Sequence, residues 1–94
     1  MTEDFQALTV RITGRVQGVG FREWTRRQAE RLGVSGWVRN EADRRVSALI
    51  AGPERAVAAM LDCLRRGPPS AVVTDLQAAP APLSERPAGF RVLR

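Results

Sequence analysis

The sequence predicts an α+β fold, in which a mostly antiparallel five-stranded sheet carries two helices on one face. Segments of alternating polar and apolar residues are interleaved with two segments of helical periodicity, in the order strand, helix, strand, strand, helix, strand, with one more strand at the end. Glycine or proline marks most of the boundaries between these segments. The chain has 94 residues, of which 44% are hydrophobic, so we expect residues 1–94 to form a single domain with one modest core.

The first half of the chain predicts a strand, a helix and a second strand. Residues 8–13 alternate between apolar and polar side chains, which is typical of a strand with one buried face. Apolar residues then recur at helical spacing over 21–32, and Gly33 is placed to end this helix as a left-handed cap. Residues 34–40 predict the second strand.

The second half predicts another helix and three more strands. A tight turn at 41–44 follows the second strand. The tripeptide Gly-Pro-Glu at 52–54 opens the second helix, with proline in the first turn and an acid near the positive end of the helix dipole, and Gly67 stops it. The three strands are predicted at 46–51, 71–78 and 90–93. A proline-rich segment, 79–87, leads to the last of them, and the complete order is the split βαβ pattern of ferredoxin-like folds.

The charge of the chain is basic and is carried entirely by arginine. All fifteen basic residues are arginines, and the formal net charge is +5. Arginine keeps its charge at any working pH and binds phosphate through a planar fork of donors. A solvated basic surface is sufficient to explain this composition, but such a surface would also attract an anionic ligand.

Residue types that are rare or missing exclude several kinds of site. The chain has no histidine, which is the commonest metal ligand and general base, so we expect no metal site and no cofactor. Its one cysteine, Cys63, cannot form an internal disulfide, which suits a reducing compartment, and we expect a cytoplasmic protein. The longest apolar run, residues 56–61, is too short to cross a membrane.

The most distinctive segment is GRVQGVGFR, residues 14–22, between the first predicted strand and helix. It lacks the Gly-Lys-Ser/Thr end of a Walker loop, and Glu23 stands where a dinucleotide-binding fingerprint needs its third glycine. A cysteine-phosphatase loop fails as well, because the position that needs arginine, counted from Cys63, is Pro69. Loop N–H groups, the helix N-terminus and Arg22 in the first turn would together form an oxyanion site. A sharp strand-to-helix turn, in which glycine only permits the bend, is the alternative interpretation, and both stay open at this point.

A second local motif is GWVRN, residues 36–40, at the end of the second predicted strand. Alternate residues of a strand share a face, so Asn40 faces the helices if Val38 does. A neutral amide would then emerge at a strand end on the helix-covered side of the sheet. A turn-forming asparagine before Glu41 is the alternative.

Together the two motifs resemble those of the acylphosphatase family. Residues 14–22 match its glycine-rich signature, G-x-V-Q-G-V-x-F-R, throughout, and residues 36–40 match its second signature, G-W/F-V-x-N. The segment GPPSAVV, residues 67–73, resembles the family's approach to the fourth strand. One position departs: the family usually has glycine after the aspartate of the turn, but Asp43 is followed here by Arg44, which leaves the geometry of this turn open.

The resemblance implies that the chain hydrolyses the carboxyl–phosphate bond of acyl phosphates, giving a carboxylate and inorganic phosphate. It also implies that inorganic phosphate acts as a product inhibitor. It implies that Arg22 binds the phosphate and that Asn40 holds the attacking water. It also implies that backbone N–H groups of the loop complete the phosphate cradle, namely those of Arg15, Val16, Gln17, Gly18, Val19 and Gly20. The composition agrees chemically, because a carboxylate leaving group needs no general acid, and positioning with charge neutralisation is then sufficient.

Two other functions are alternatives to acyl phosphate hydrolysis. RNA-binding domains share the fold, but no predicted strand carries a pair of base-stacking aromatic residues, so we expect no specific nucleic-acid partner and no membrane partner. The alternative function is a non-catalytic anion-binding or accessory module, like the acylphosphatase-type domain at the start of larger carbamoyl-transferring maturation proteins. The end of the chain at Arg94 favours the free-standing enzyme, which we expect to be a monomer.

Overall fold

The order of secondary-structure elements is the predicted one. The computed structural model of the chain describes residues 4–82 and 87–94, so part of the proline-rich segment, residues 83–86, lies outside the described residues. The elements are β1 (Phe5–Arg15), α1 (Phe21–Leu32), β2 (Ser35–Asn40), β3 (Val46–Pro53), α2 (Glu54–Arg66), β4 (Val72–Pro80) and β5 (Phe90–Val92). The predicted α+β fold with five strands and two helices is confirmed.

The five strands form one mostly antiparallel sheet in the order β4-β1-β3-β2-β5. β1 pairs antiparallel with β3 and β4, β2 pairs antiparallel with β3, and β5 alone runs parallel to its neighbour, β2. β1 extends from Phe5, opposite Pro53, to Arg15, opposite Val72. It is longer than the predicted 8–13 because main-chain pairing continues on both sides of the part that alternates in polarity.

Both helices pack on one face of the sheet, as predicted. α1 lies against β2 and β5, whereas α2 lies against β1, β3 and β4. The largest fully buried side chains between these layers include Ile12, Val38, Ile50, Phe21, Met60 and Leu64. Burial of each one stabilises the fold by about 1.5–3 kcal/mol. On the other face of the sheet, side chains such as Thr9 and Arg11 are exposed, so the hydrophobic core lies on the helix-covered face.

The two helices are short and end at glycines. α1 has 12 residues and ends at Gly33, whose φ of 77° is the predicted left-handed cap and whose N–H donates toward the carbonyl oxygens of Ala29 and Glu30. α2 has 13 residues and ends at Gly67. Neither helix has the length and apolar character needed to span a membrane, and no other helix is found within residues 4–82 and 87–94.

Two strand glycines allow neighbouring backbones to approach closely on the strands that lead to the two sequence motifs. Gly14, where the register between β1 and β4 shifts, has a φ of 133°, and a Cβ there would lie 2.0 Å from the carbonyl oxygen of Val72. Gly36 in β2 has a φ of 140°, and a Cβ there would lie 1.8 Å from the carbonyl oxygen of Leu49. A larger residue at either position would collide with main chain, which cannot rotate away.

The turn after β2 keeps a left-handed residue although it contains no glycine. Arg44 has a φ of 73° and is the one non-glycine residue with positive φ in the described ranges. Its N–H donates to the carbonyl oxygen of Glu41 at 3.2 Å, and the N–H of Arg45 donates to Oδ1 of Asp43 at 3.1 Å. The turn whose geometry the sequence left open therefore adopts a conformation that suits glycine, at a strain of about 1–2 kcal/mol.

Candidate active site

The glycine-rich loop between β1 and α1 leaves the N-terminus of α1 open. Gly20 is the N-cap residue, with a φ of 74°, and no side chain of the described residues makes a capping hydrogen bond there. Gly18 has a similar φ of 73°, and a Cβ at either glycine would meet no atom within 4 Å. These glycines are therefore needed for their left-handed conformation rather than for close packing. Unpaired N–H groups at the positive end of the helix dipole are suited to bind an anion.

Arg22 lies in the first turn of α1 and is half-buried. Its Nη1 donates a hydrogen bond to the carbonyl oxygen of Leu93, 2.9 Å away. The N–H of Leu93 in turn donates to the carbonyl oxygen of Val38 at 2.8 Å, so the peptide after β5 connects Arg22 with the strand that ends at Asn40. The sequence predicted the place of Arg22 on the helix but not this contact, because Leu93 contributes only main-chain atoms.

Asn40 is the last residue of β2, and one polar atom of its side chain is buried. Val38, two residues earlier, is fully buried under the helices, and Asn40 lies on the same face, as the alternation along the strand predicted. The amide oxygen Oδ1 is buried and accepts no hydrogen bond from the described part of the chain. An unpaired buried acceptor costs about 1–3 kcal/mol, so this oxygen is suited to accept a hydrogen bond from a water molecule or a substrate.

The loop, the helix terminus, Arg22 and Asn40 surround one concavity of about 200 Å³. Its lining residues come from the loop, the first turn of α1, β2 and β5, and are Val16, Gln17, Gly18, Gly20, Phe21, Arg22, Glu23, Asn40 and Val92. Of the loop residues expected in the cradle, Arg15 and Val19 do not line it. Arg15 is exposed, and Val19 packs against the hydrophobic core.

Two side-chain contacts, those of Gln17 and Ser70, connect the loop to neighbouring segments. Nε2 of Gln17 donates to the carbonyl oxygens of Glu41 and Arg45, both at 2.9 Å. The hydroxyl of Ser70 donates to the carbonyl oxygen of Val19 at 3.1 Å. Both side chains belong to segments that the sequence analysis singled out, but their partners are main-chain oxygens, which no residue pattern reveals.

The acidic residue at the concavity is paired and ionised. The carboxylate of Glu23 accepts hydrogen bonds from the guanidinium of Arg26, which also donates to Glu30 at 2.8 Å. The hydrogen bond from Arg26 holds the pKa of Glu23 below its usual value. Glu23 is therefore a poor proton donor at neutral pH. Across residues 4–82 and 87–94, no three His, Cys, Asp or Glu side chains form a group that could hold a metal ion.

A larger groove of about 560 Å³ lies on the helix-free face of the sheet. Arg39 in this groove is already paired, because its Nε donates to Glu41 at 2.8 Å and its guanidinium lies 4.9 Å from the centre of the Trp37 ring. This hydrogen bond also lowers the pKa of Glu41. The groove contains neither the loop nor Arg22, so the smaller concavity is the candidate site.

The fold and the smaller concavity define a class of protein, a small α+β domain whose anion-sized pocket is formed by an open helix N-terminus, an arginine and an unpaired amide. A sequence model of one such family, Acylphosphatase, matches residues 8–92. The chain belongs to the acylphosphatase family.

Relatives and solved structures agree with this assignment. The acylphosphatase of Rhizobium meliloti is 61% identical over 94 residues, which is 100% of this chain and 99% of the relative. The crystal structure of the acylphosphatase from Bacillus subtilis has a TM-score of 0.90 and 32% identity, and the match covers 97% of this chain and all of the other. The crystal structure of HypF from T. kodakarensis has a TM-score of 0.84 and 26% identity, with 95% of this chain matching 12% of HypF.

The comparisons confirm three predictions made from the sequence. The family is acylphosphatase, the fold is the ferredoxin-like one of that family, and the class of activity is hydrolysis of acyl phosphates.

Proposed function

We propose that the chain hydrolyses the carboxyl–phosphate bond of acyl phosphates in the concavity next to the glycine-rich loop. Arg22 and loop N–H groups bind the phosphoryl group, and Asn40 positions the attacking water. The observation that carries this proposal is the buried Oδ1 of Asn40, which has no hydrogen-bond partner among the described residues and lies on the same concavity as Arg22 and the N-terminus of α1.

The phosphate side of the site combines three sources of positive potential. The guanidinium of Arg22 has about five N–H donors, of which one is used by Leu93 in the structure, so the others remain for an anion. The N-terminus of α1 adds main-chain N–H groups and its dipole. The net charge of +5 favours the approach of an anionic substrate over the whole surface.

The water side of the site needs only an acceptor in the right place. Oδ1 of Asn40 accepts a hydrogen bond from water and turns a lone pair of the water oxygen toward phosphorus. A new P–O bond forms while the bond from phosphorus to the acyl oxygen breaks, and the electron pair of that bond leaves with the carboxylate. Both protons of the water remain with the phosphate product, so the products are a carboxylate and dihydrogen phosphate.

No general acid or strong base is required by this reaction. A leaving carboxylate is a weak base with a pKa of about 4–5, judged by side-chain carboxyls, so it departs without protonation. The phosphoryl group passes through a loose transition state that asks little of the attacking water. The paired, ionised Glu23 and the absence of histidine are compatible with such chemistry.

The proposed site also suggests an inhibitor and an oligomeric state. Inorganic phosphate has the same phosphoryl oxygens that the cradle binds in the substrate, so we expect it to act as a product inhibitor. The proposed catalytic groups, Arg22 and Asn40, both come from one chain, which is compatible with an active monomer. We place the protein, as a single domain, in the cytoplasm, where a buried free thiol such as that of Cys63 stays reduced.

The alternative is an anion-binding module without turnover. The likeness to a short part of HypF motivates it, because there the matching region is 12% of a much larger protein. The near-complete match with the acylphosphatase of Rhizobium meliloti favours the enzyme.

Turnover of acetyl phosphate by the purified protein tests the proposal, with an alkyl phosphate monoester as the control substrate. We expect hydrolysis of acetyl phosphate and almost none of the monoester, whose alkoxide leaving group needs an acid. Binding of inorganic phosphate without any turnover would support the accessory module instead.

A further inference from the structure

The side chain of Gln17 joins the glycine-rich loop to the connection between β2 and β3. Its Nε2 donates to the carbonyl oxygens of Glu41 and Arg45, each at 2.9 Å. The carbonyl oxygen of Arg45 also accepts the N–H of Glu41 at 2.8 Å. Both N–H groups of the Gln17 amide are therefore used at the two ends of the turn, next to the points where β2 ends and β3 begins.

This contact lies one peptide away from Asn40. Glu41 directly follows Asn40 in the chain, whereas Gln17 lies 24 residues before Glu41. Gln17 and Asn40 both line the concavity of about 200 Å³. The loop that holds the phosphoryl group and the strand end that holds the water thus touch through this side chain.

The residue type matters for this contact. Only a side-chain amide of this length supplies two N–H donors and carries no charge next to two carbonyl oxygens. A carboxylate at the same place would face both oxygens with negative charge, and an apolar side chain would leave them without their donors. The contact is half-buried, so water competes with it only in part.

We propose that Gln17 is a positioning residue that sets the distance between the phosphate loop and the amide of Asn40. This inference rests on the proposed function, because it requires Asn40 to act on the attacking water. Gln17 acts through Asn40: its side chain fixes the turn, the turn fixes the end of β2, and the end of β2 places Oδ1 where it can orient the attacking water. Misplacement of a reacting group by about 1 Å can lower a rate by about 10²-fold, so loss of the Gln17 contact should lower kcat measurably.

A double-mutant cycle tests the inference. The rates kcat for acetyl phosphate are measured for wild type, Gln17→Met, Asn40→Ala and the double variant, together with the inhibition constant of inorganic phosphate. We expect Gln17→Met to lower kcat by about tenfold or more in wild type but by less than about twofold in the Asn40→Ala background. The phosphate inhibition constant should change by less than about twofold, because the loop N–H groups and Arg22 are retained.

The matched control is Gln77→Met, the same chemical change on an exposed residue of β4, which should leave kcat unchanged. Equal losses of rate in both backgrounds would overturn the inference, because Gln17 would then stabilise the fold without acting through Asn40. Full turnover by Asn40→Ala would overturn the proposed role of Asn40 and this inference together. If Gln17→Met does not fold, Gln17→Asn replaces it in the cycle, since its amide is too short to reach both carbonyl oxygens.

Discussion

The guanidinium of Arg22 donates a hydrogen bond to the carbonyl oxygen of Leu93 at 2.9 Å, across a separation of 71 residues. Leu93 is itself bound to β2, because its N–H donates to the carbonyl oxygen of Val38 at 2.8 Å. Arg22 is therefore oriented by the segment that follows β5, and one prong of its fork is fixed before an anion binds. A pre-oriented guanidinium loses less conformational freedom when it takes up a phosphoryl group.

The first prediction concerns the shape of the Arg22 side chain. Arg22→Lys should lose most of the activity although the charge is kept, because one ammonium cannot donate to Leu93 and also bind two phosphoryl oxygens in parallel. Turnover of acetyl phosphate and the circular dichroism spectrum would be measured side by side. Near-normal turnover by the folded lysine variant would refute the role of the two-pronged donor.

The second prediction concerns metal ions. The chain has no histidine and one cysteine, and the proposed phosphate cradle relies on N–H donors alone, so hydrolysis should continue unchanged in excess chelator. The measurement compares kcat before and after treatment with EDTA. Loss of activity that a divalent cation restores would show that the N–H donors are not sufficient.

The third prediction concerns Gly36, where β2 and β3 come close. Gly36→Ala should destabilise the fold by about 3 kcal/mol or more, because the added Cβ would lie 1.8 Å from the carbonyl oxygen of Leu49. Gly89→Ala is the matched control. Its φ of 71° is also positive but nothing lies within 4 Å of a Cβ, so only backbone strain of about 1–2 kcal/mol applies. Denaturant unfolding compares the two, and equal losses would mean that the sheet can yield at Gly36.

Much of the fold could be predicted because its signals are local. Alternation marks the buried side of β1, β2 and β3, and the period of two that buries Val38 also places Asn40 on the helix side. Gly33 marks the end of α1 through an equally local signal, because a left-handed cap depends on the conformation of a single residue.

The contacts that organise the site could not be predicted in this way. Gln17 reaches carbonyl oxygens 24 and 28 residues away, and Arg22 reaches one 71 residues away. Their partners are main-chain atoms, which every residue has, so no pattern of residue types distinguishes them. The residue pattern marks the proposed site residues, whereas the tertiary fold decides which atoms hold each of them.

The fourth prediction concerns the strained turn. Arg44 has a φ of 73°, so Arg44→Gly should stabilise the fold by about 1 kcal/mol through relief of left-handed strain, without a change in turnover. Thermal unfolding measures this change in stability, and we expect Tm to rise by about 4–8 °C for a domain of this size. Arg44→Ala is the control, since it removes the charge but keeps the strain and should bring no such rise. An unchanged or lowered Tm for Arg44→Gly would mean that the arginine makes compensating contacts.

The last prediction separates the roles of Asn40 and Arg22. The buried Oδ1 of Asn40 has no partner within the described ranges, and if its function is to orient water, phosphate should bind almost as tightly without it. Asn40→Ala should therefore lower kcat by about 10²-fold or more, the scale of a lost positioning group, while competitive inhibition by inorganic phosphate barely changes. Arg22→Ala should weaken phosphate inhibition together with turnover, because the guanidinium is part of the anion cradle. The experiment measures both inhibition constants alongside kcat. If Asn40→Ala loses phosphate affinity in proportion to its lost rate, Asn40 binds the phosphoryl group itself and the proposed division between the two residues is wrong.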